Sequence, residues 1–422
     1  VAVTSGSELA RVRRALAHGS RLDQALEEVT DPATGELGLA RLRHRVRADA
    51  EGAGPLLQPL IDTPGVTDVL VLAGLTWVDR GHGVERVACP VMPESQVRAL
   101  AVRMAASAGR RLDDASPVVD ATLSDGTRLN AVLPPLSSQG TVISLRTRRP
   151  QGFSLAELVG AGTVAPGLDA VLAALVAQRA SCLVTGATGT GKTTLLAALL
   201  GLVPASERIV CIEEASELRP RHPHVVHLQE RGDNIQGAGA VSMTSLVRAA
   251  LRMRPDRIVL GECRGPEVRD VLTALNTGHE GGWATLHANS ATDVPARLTA
   301  LGALARLDEG AVASQAASAL DAVVHLRRLP GGRGGAEHED ASPGPPGPPG
   351  ARWVSSVGVL TREATVAGAV LTCQEALSVS AEGVTAAGPA IDRLVSRVGE
   401  GPVSAALSQG TRGRHRPVRG LP

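Results

Sequence analysis

Residues Gly186-Ala187-Thr188-Gly189-Thr190-Gly191-Lys192-Thr193 match the pattern G-x-x-x-x-G-K-[ST], and Thr194 follows directly. The chemistry of such a run is anion binding, because its glycines let the backbone turn tightly and aim N–H groups at phosphate oxygens. Lys192 can reach the β and γ phosphates of a nucleotide, and the Thr193 hydroxyl can ligate Mg2+. ATP and Mg2+ are therefore the expected cofactors. Lys192 is also the only lysine among the 43 lysines and arginines of the chain. A site that keeps Lys where Arg serves everywhere else calls for a compact ammonium rather than a wide planar guanidinium.

Three further stretches carry groups able to act on a bound phosphate. Residues 257–262 read Arg-Ile-Val-Leu-Gly-Glu, a buried-strand pattern ending in an acid. With this strand placed beside the phosphate-loop strand, Glu262 faces the nucleotide crevice, where it can polarise the attacking water or hold Mg2+ through water. A second apolar run, 208–212, leads into Glu213, Glu214 and Glu217. Glu213 is the better candidate of these three for activating water, and whether it or Glu262 is the main base stays open. The stretch 276–289 joins a glycine-rich turn and a short strand to His287 and Asn289. Either can sense a γ phosphate or polarise water, since imidazole donates, accepts or carries charge near neutral pH. A lone histidine such as His279 is more often structural.

Strands and helices must hold these residues together. Residues 182–185, 208–212, 225–228, 258–260 and 283–286 read as strands between helical stretches, an α/β doubly wound signature. A hairpin is expected between 322–326 and 353–360. Upstream, the strand-like runs 66–71, 76–79, 119–123 and 141–145, with a helical stretch at 94–108, suggest a smaller α+β domain. The expected organisation is a helical appendage over 1–50, an α+β domain over 51–150, and a P-loop domain over 151–330. A disordered Gly/Pro-rich loop over 331–350, a C-terminal strand with the remainder of the P-loop domain over 351–400, and a disordered Arg-rich tail over 401–422 complete it.

Composition excludes several classes. With 422 residues, 43% apolar and 20% charged, the chain is neither disordered nor fibrous. A net charge of +1 gives no basic footprint. No apolar run long enough to span a bilayer and no signal peptide is readable, so a cytosolic protein is expected. Five scattered cysteines without a C-x-x-C pair argue against structural zinc and read as small core residues.

Taken together, the phosphate loop and these stretches resemble the secretion ATPases of type II and type IV systems and type IV pili, most closely the tight-adherence pilus branch (TadA/CpaF-like). Residues 208–218 match the acidic "Asp box", 251–264 the Walker B region, and 277–289 the "His box". The resemblance implies a RecA-like P-loop ATPase domain preceded by the smaller α+β domain. It also implies a homo-hexamer at the cytoplasmic face of the membrane, working with a polytopic inner-membrane platform protein. Arginines of the N-terminal domain close over the phosphates in such families, and Arg128 and Arg146 are the matching candidates. Two departures stand out. Glu214 replaces the usual Asp, which shifts water activation to Glu213 and Glu262. The four-cysteine zinc module of many type II members is absent, which fits the tight-adherence or conjugation branches better.

The function expected from this is ATP hydrolysis that drives pilus assembly or protein export. The alternative is an ATPase of conjugal DNA transfer or a nucleic-acid motor, although Trp77, Trp283, Trp353 and Phe153 cannot build a platform for several bases. Direct nucleic-acid binding is thus not expected. A non-hydrolysing scaffold is disfavoured by the joint presence of Lys192, Thr193 and Glu262.

Overall fold

The computed structural model describes residues 52–147, 152–231, 239–329 and 350–410, except His82 and Ala367, together with ten isolated positions before residue 47. Most of the 1–50 appendage, all of the 331–350 loop except Gly350, and the tail from residue 411 therefore lie outside the described residues. The chain divides into two compact units, one up to Arg148 and one over Arg149–Leu421. Among the described residues, no helix is long and apolar enough to cross a membrane.

In the first unit, helices α1 (Gly54–Ile61) and α2 (Glu94–Ser107) accompany six strands. These are β1 (Asp68–Leu72), β2 (Leu75–Asp79), β3 (Val84–Arg86), β4 (Val118–Thr122), β5 (Arg128–Val132) and β6 (Val142–Arg146), in the order β3-β2-β1-β6-β5-β4. Every pairing is antiparallel. Burial alternates along β1, β5 and β6, so Val69, Val71, Leu129, Ala131, Ile143 and Leu145 face a core shared with Val97, Ala101 and Met104 of α2. Arg128 and Arg146 are exposed and lie directly opposite each other across β5 and β6.

The second unit is built on a nine-stranded sheet. Its strands are β7 (Cys182–Thr185), β8 (Ile209–Glu213), β9 (Val225–Gln229), β10 (Arg257–Leu260), β11 (Trp283–Leu286), β12 (Ala322–Arg328), β13 (Arg352–Thr365), β14 (Gly368–Val379) and β15 (Thr385–Ala387). Their order is β15-β14-β13-β12-β7-β11-β10-β8-β9. From β12 through β9 the neighbours are parallel. Residues of β7, β8, β10 and β11 are buried throughout, as a sheet covered on both faces requires.

Helices α3 (Leu155–Gly160), α4 (Leu168–Ala177) and α5 (Lys192–Leu200) cover one face, joined by α10 (Ile391–Val398) and α11 (Glu400–Gly410). Helices α6 (Met243–Ala250), α7 (Glu267–Asn276), α8 (Val294–Leu304) and α9 (Glu309–Ala319) cover the other. Successive residues of β7 divide accordingly: Cys182 and Val184 join the first core, Leu183 the second.

Three expectations need correction. The strand carrying Glu262 does not lie beside β7, because β11 pairs with β7 on one side and β10 on the other. The disordered tail does not begin at residue 401, because α11 runs to Gly410 and buries Val403 and Ala406, an i, i+3 apolar pair that gives it a core-facing side. The segment after 351 holds more than one strand, since β13 continues to Thr365 and pairs along its length with β14.

Candidate functional site

Strands β7, β8, β10 and β11 run parallel, so their C-terminal ends open on one edge of the sheet. From β7 the chain enters the glycine loop. Gly186 has φ +148, and a Cβ there would stand 2.6 Å from the Leu326 carbonyl oxygen and 2.7 Å from Thr190 Oγ1. Only glycine passes this point. Ala187, Thr188 and Gly189 form the exposed arc of the loop, and Thr190 Oγ1 donates to the Ala187 carbonyl at 2.9 Å. Gly191, at φ +95, turns the chain into α5, whose first residues are Lys192, Thr193 and Thr194. Lys192 Nζ donates to the carbonyls of Gly186 at 3.0 Å and Ala187 at 3.1 Å, so its ammonium spans the base of the loop. Burial holds its pKa below the ordinary lysine value, against the pull of Glu262.

Next to this ammonium stand groups from the ends of β10 and β11. His287 presents both ring nitrogens at 3.5 Å from Lys192 Nζ, and its Nε2 lies 2.9 Å from Glu262 Oε1. Burial and then the Lys192 charge hold His287 below its usual pKa, opposed by Glu262. Glu262 is also gripped by Arg264, which donates from Nη2 to Oε2 at 2.8 Å and from Nε to Oε1. The remaining arm of that guanidinium, Nη1, donates to Glu214 Oε2 at 2.7 Å. The turn that aims Arg264 is held by the buried Glu267, whose Oε1 accepts from the amides of Arg264 at 2.8 Å and Gly265 at 2.7 Å.

Glu213, the expected candidate for activating water, is not hydrogen-bonded to this group. It is buried, and its Oε1 accepts from the amides of Glu217 and Leu218, both at 2.8 Å. It anchors the loop after β8. Its neighbour Glu214 is exposed and supplies the carboxylate on this side. Asn289 is exposed just beyond His287. Arg128 and Arg146 belong to the other unit, where both are exposed.

Sequence reasoning assigned no role to Arg264, although it stands two residues from Glu262. It also passed over Arg328 and Arg352, which are register partners at the end of β12 and the start of β13. Arg352 Nε donates to the Gly189 carbonyl at 2.9 Å, and Arg328 Nη1 lies 3.3 Å from where a Cβ on Gly189 would be. The predicted hairpin pairing of 322–326 with 353–360 was the signal that could have found them.

The arrangement fits a nucleotide with a divalent cation. Amides at the N-terminus of a nine-residue helix and an ammonium suit phosphate oxygens, while the Thr193 hydroxyl and the Glu262 carboxylate are oxygen donors of the kind a hard cation takes.

Residues 51–340 match the profile of the family described as type II/IV secretion system protein. The chain is 53% identical over 302 residues to a putative conjugal transfer protein of Mycobacterium tuberculosis, covering 70% of this chain and 85% of that one. It is 35% identical over 271 residues to the type IV secretion system protein PtlH of Bordetella pertussis, covering 58% of this chain and 78% of that one. Among solved structures, it is similar to the VirB11 ATPase from the Brucella suis type IV secretion system. The identity there is 27% and the TM-score 0.34, covering 64% of this chain and 90% of that one.

Proposed function

The chain belongs to the type II/IV secretion system protein family, and on that premise we propose that it hydrolyses ATP, with Mg2+, to drive pilus assembly or protein secretion through a membrane-embedded machine. Its fold is a RecA-like P-loop ATPase domain preceded by a smaller α+β domain. The observation that carries the proposal is the meeting of three groups at the C-terminal edge of the sheet, with His287 3.5 Å from Lys192 Nζ and 2.9 Å from Glu262 Oε1.

In this reading the loop amides of residues 186–191 and Lys192 bind the β and γ phosphates. Thr193, and Glu262 through water, would hold Mg2+, which would supply charge neutralisation to the phosphoryl oxygens. Glu262 accepts the proton of the attacking water, and His287 orients that water or donates to the γ phosphate. Arg128 and Arg146 close over the phosphates as arginine fingers. Their placement side by side on neighbouring strands supports this, because two adjacent guanidiniums can meet the oxygens of one anion together. A homo-hexamer at the cytoplasmic face of the membrane, acting on a polytopic inner-membrane platform protein in a tight-adherence-like machine, completes the proposal.

The test is steady-state Mg2+-ATP turnover of the purified protein across a range of protein concentrations, with Glu262→Gln as control. Specific activity that rises with concentration and vanishes in the variant supports an oligomeric ATPase. Tight ATP binding without turnover at every concentration overturns hydrolysis in favour of a scaffold. A second reading, service in conjugal DNA transfer, is favoured by the name of the 53%-identical mycobacterial relative. Trp283 and Trp353 are buried in the core, which leaves little aromatic surface for stacking bases, and a salt-dependent gel shift would reveal direct DNA contact.

A further inference from the structure

The buried polar groups of the second unit include one histidine that no step of the proposed mechanism uses. His325 lies on β12, 2% exposed, in register with Thr185 of β7. Its Nδ1 is 2.9 Å from Thr185 Oγ1, and Thr185, fully buried, is the residue immediately before Gly186. The backbone of Asn289, two residues beyond His287, lies near enough to favour the ring's charged form. A neutral imidazole has one donor and one acceptor nitrogen, so a single ring can satisfy two such partners at once.

The backbone is specialised at the same place. The pairing of β12 with β13 shifts register between His325 and Leu326. The Leu326 carbonyl, one residue beyond His325, is the group that crowds Gly186. Irregularities of this kind re-aim the chain beside functional sites. His325 thus touches the root of the phosphate loop on one side and the segment carrying His287 on the other, while staying out of reach of solvent.

We infer that His325 is a positioning residue that sets the phosphate loop and the His287 segment in register with each other. Through Thr185 it fixes where the loop leaves β7, and through Asn289 it fixes where His287 points. The inference rests on the ATPase reading above. It goes beyond that reading by assigning the coupling between binding and turnover to a buried side chain of the neighbouring strand.

The test uses the full chain with His325→Leu, His325→Asn and Thr185→Val. ADP affinity, kcat, KM and the thermal midpoint are measured well below the midpoint and scaled to folded protein. His325→Leu removes both contacts, and both ADP affinity and kcat are expected to fall, kcat by on the order of tenfold to a hundredfold. His325→Asn keeps an amide near the Nδ1 position, so ADP affinity is expected to recover while kcat stays low. Thr185→Val is expected to show the converse, weakened ADP binding with the smaller loss in kcat. It also reads the coupling if His325→Leu does not fold. Wild-type ADP affinity and kcat in the His325 variants, with only the thermal midpoint lowered, would make the ring merely structural and overturn the inference. A wild-type protein that binds ADP without hydrolysing ATP would strike at the proposed activity instead, and the affinity arm would still judge the Thr185 contact.

Discussion

Glu262 and Glu213 both stand at strand ends in acidic motifs, yet their surroundings differ. Glu262 is half-buried and bonded to two other side chains, Arg264 and His287, rather than to backbone. Glu213 is buried and bonded to two backbone amides. Glu262→Gln is expected to lower ATP turnover by about 10²–10⁴-fold with nucleotide binding retained. Glu213→Ala should instead lower stability by roughly 1–3 kcal/mol by leaving buried amides unsatisfied, measured by denaturant unfolding. A Glu213→Ala protein that is stable but inactive would return the water-activating role to that residue. Arg264 keeps two carboxylates from facing the phosphates unneutralised. Its replacement by Ala is expected to weaken ATP binding in EDTA by about tenfold, some 1.4 kcal/mol. The loss should shrink at saturating Mg2+, when the cation takes over the neutralising charge. Equal losses with and without Mg2+ would show that Arg264 contacts the nucleotide itself.

At the level of elements, β12 ties the phosphate loop to the C-terminal hairpin, and its buried histidine makes that tie sensitive to pH. Burial, with the Arg327 charge, pushes His325 down to about 4, against the Asn289 backbone and Asp293 that favour its charged form; Lys192 adds to the downward push. An imidazole in the unfolded chain titrates near ~6.5. As pH falls from there toward 4, the unfolded chain takes up a proton that the folded chain refuses. Stability from this group is therefore full above the upper value, declines through the window by up to about 3 kcal/mol, and levels off below it. Urea unfolding at pH 7.5 and 4.5 should show a larger loss for the wild type than for His325→Asn, and equal losses would mean that the folded protein accepts the proton. Helix α11 offers a separate check. Val403→Asp puts a charge into the core against α4 and is expected to lower the thermal midpoint, whereas a disordered segment would tolerate it.

The chain comprises an antiparallel unit whose sheet packs one face on a core, and a second unit whose parallel strands are covered on both faces. The first exposes paired arginines, and the second gathers the phosphate-binding and acidic groups at one edge. Arg128 and Arg146 are both exposed, so the fold should survive replacing either by Ala. If the pair closes over the phosphates, turnover falls by up to about 10³–10⁵-fold while ADP binding to the second unit persists. Unchanged turnover in both variants would separate the first unit from the chemistry.

Residues 186–193 were legible as a phosphate loop because that chemistry needs a contiguous stretch of backbone, which spacing alone records. Glu262 and His287 were legible as candidates because each follows an apolar run that had to be a buried strand. The choice between Glu213 and Glu214 was not legible. It depends on Gly261 of a different strand, where a Cβ would stand 2.7 Å from Glu213 Cγ, so the missing side chain makes the room that takes Glu213 inside. Nor could the order of β7, β11 and β10 be read, since fully buried parallel strands share one apolar pattern and nothing local distinguishes neighbours. Arg264, Arg352 and His325 acquire meaning only through partners distant along the chain. Local chemistry is written in the order of residues, but which groups meet was decided by strand order and packing.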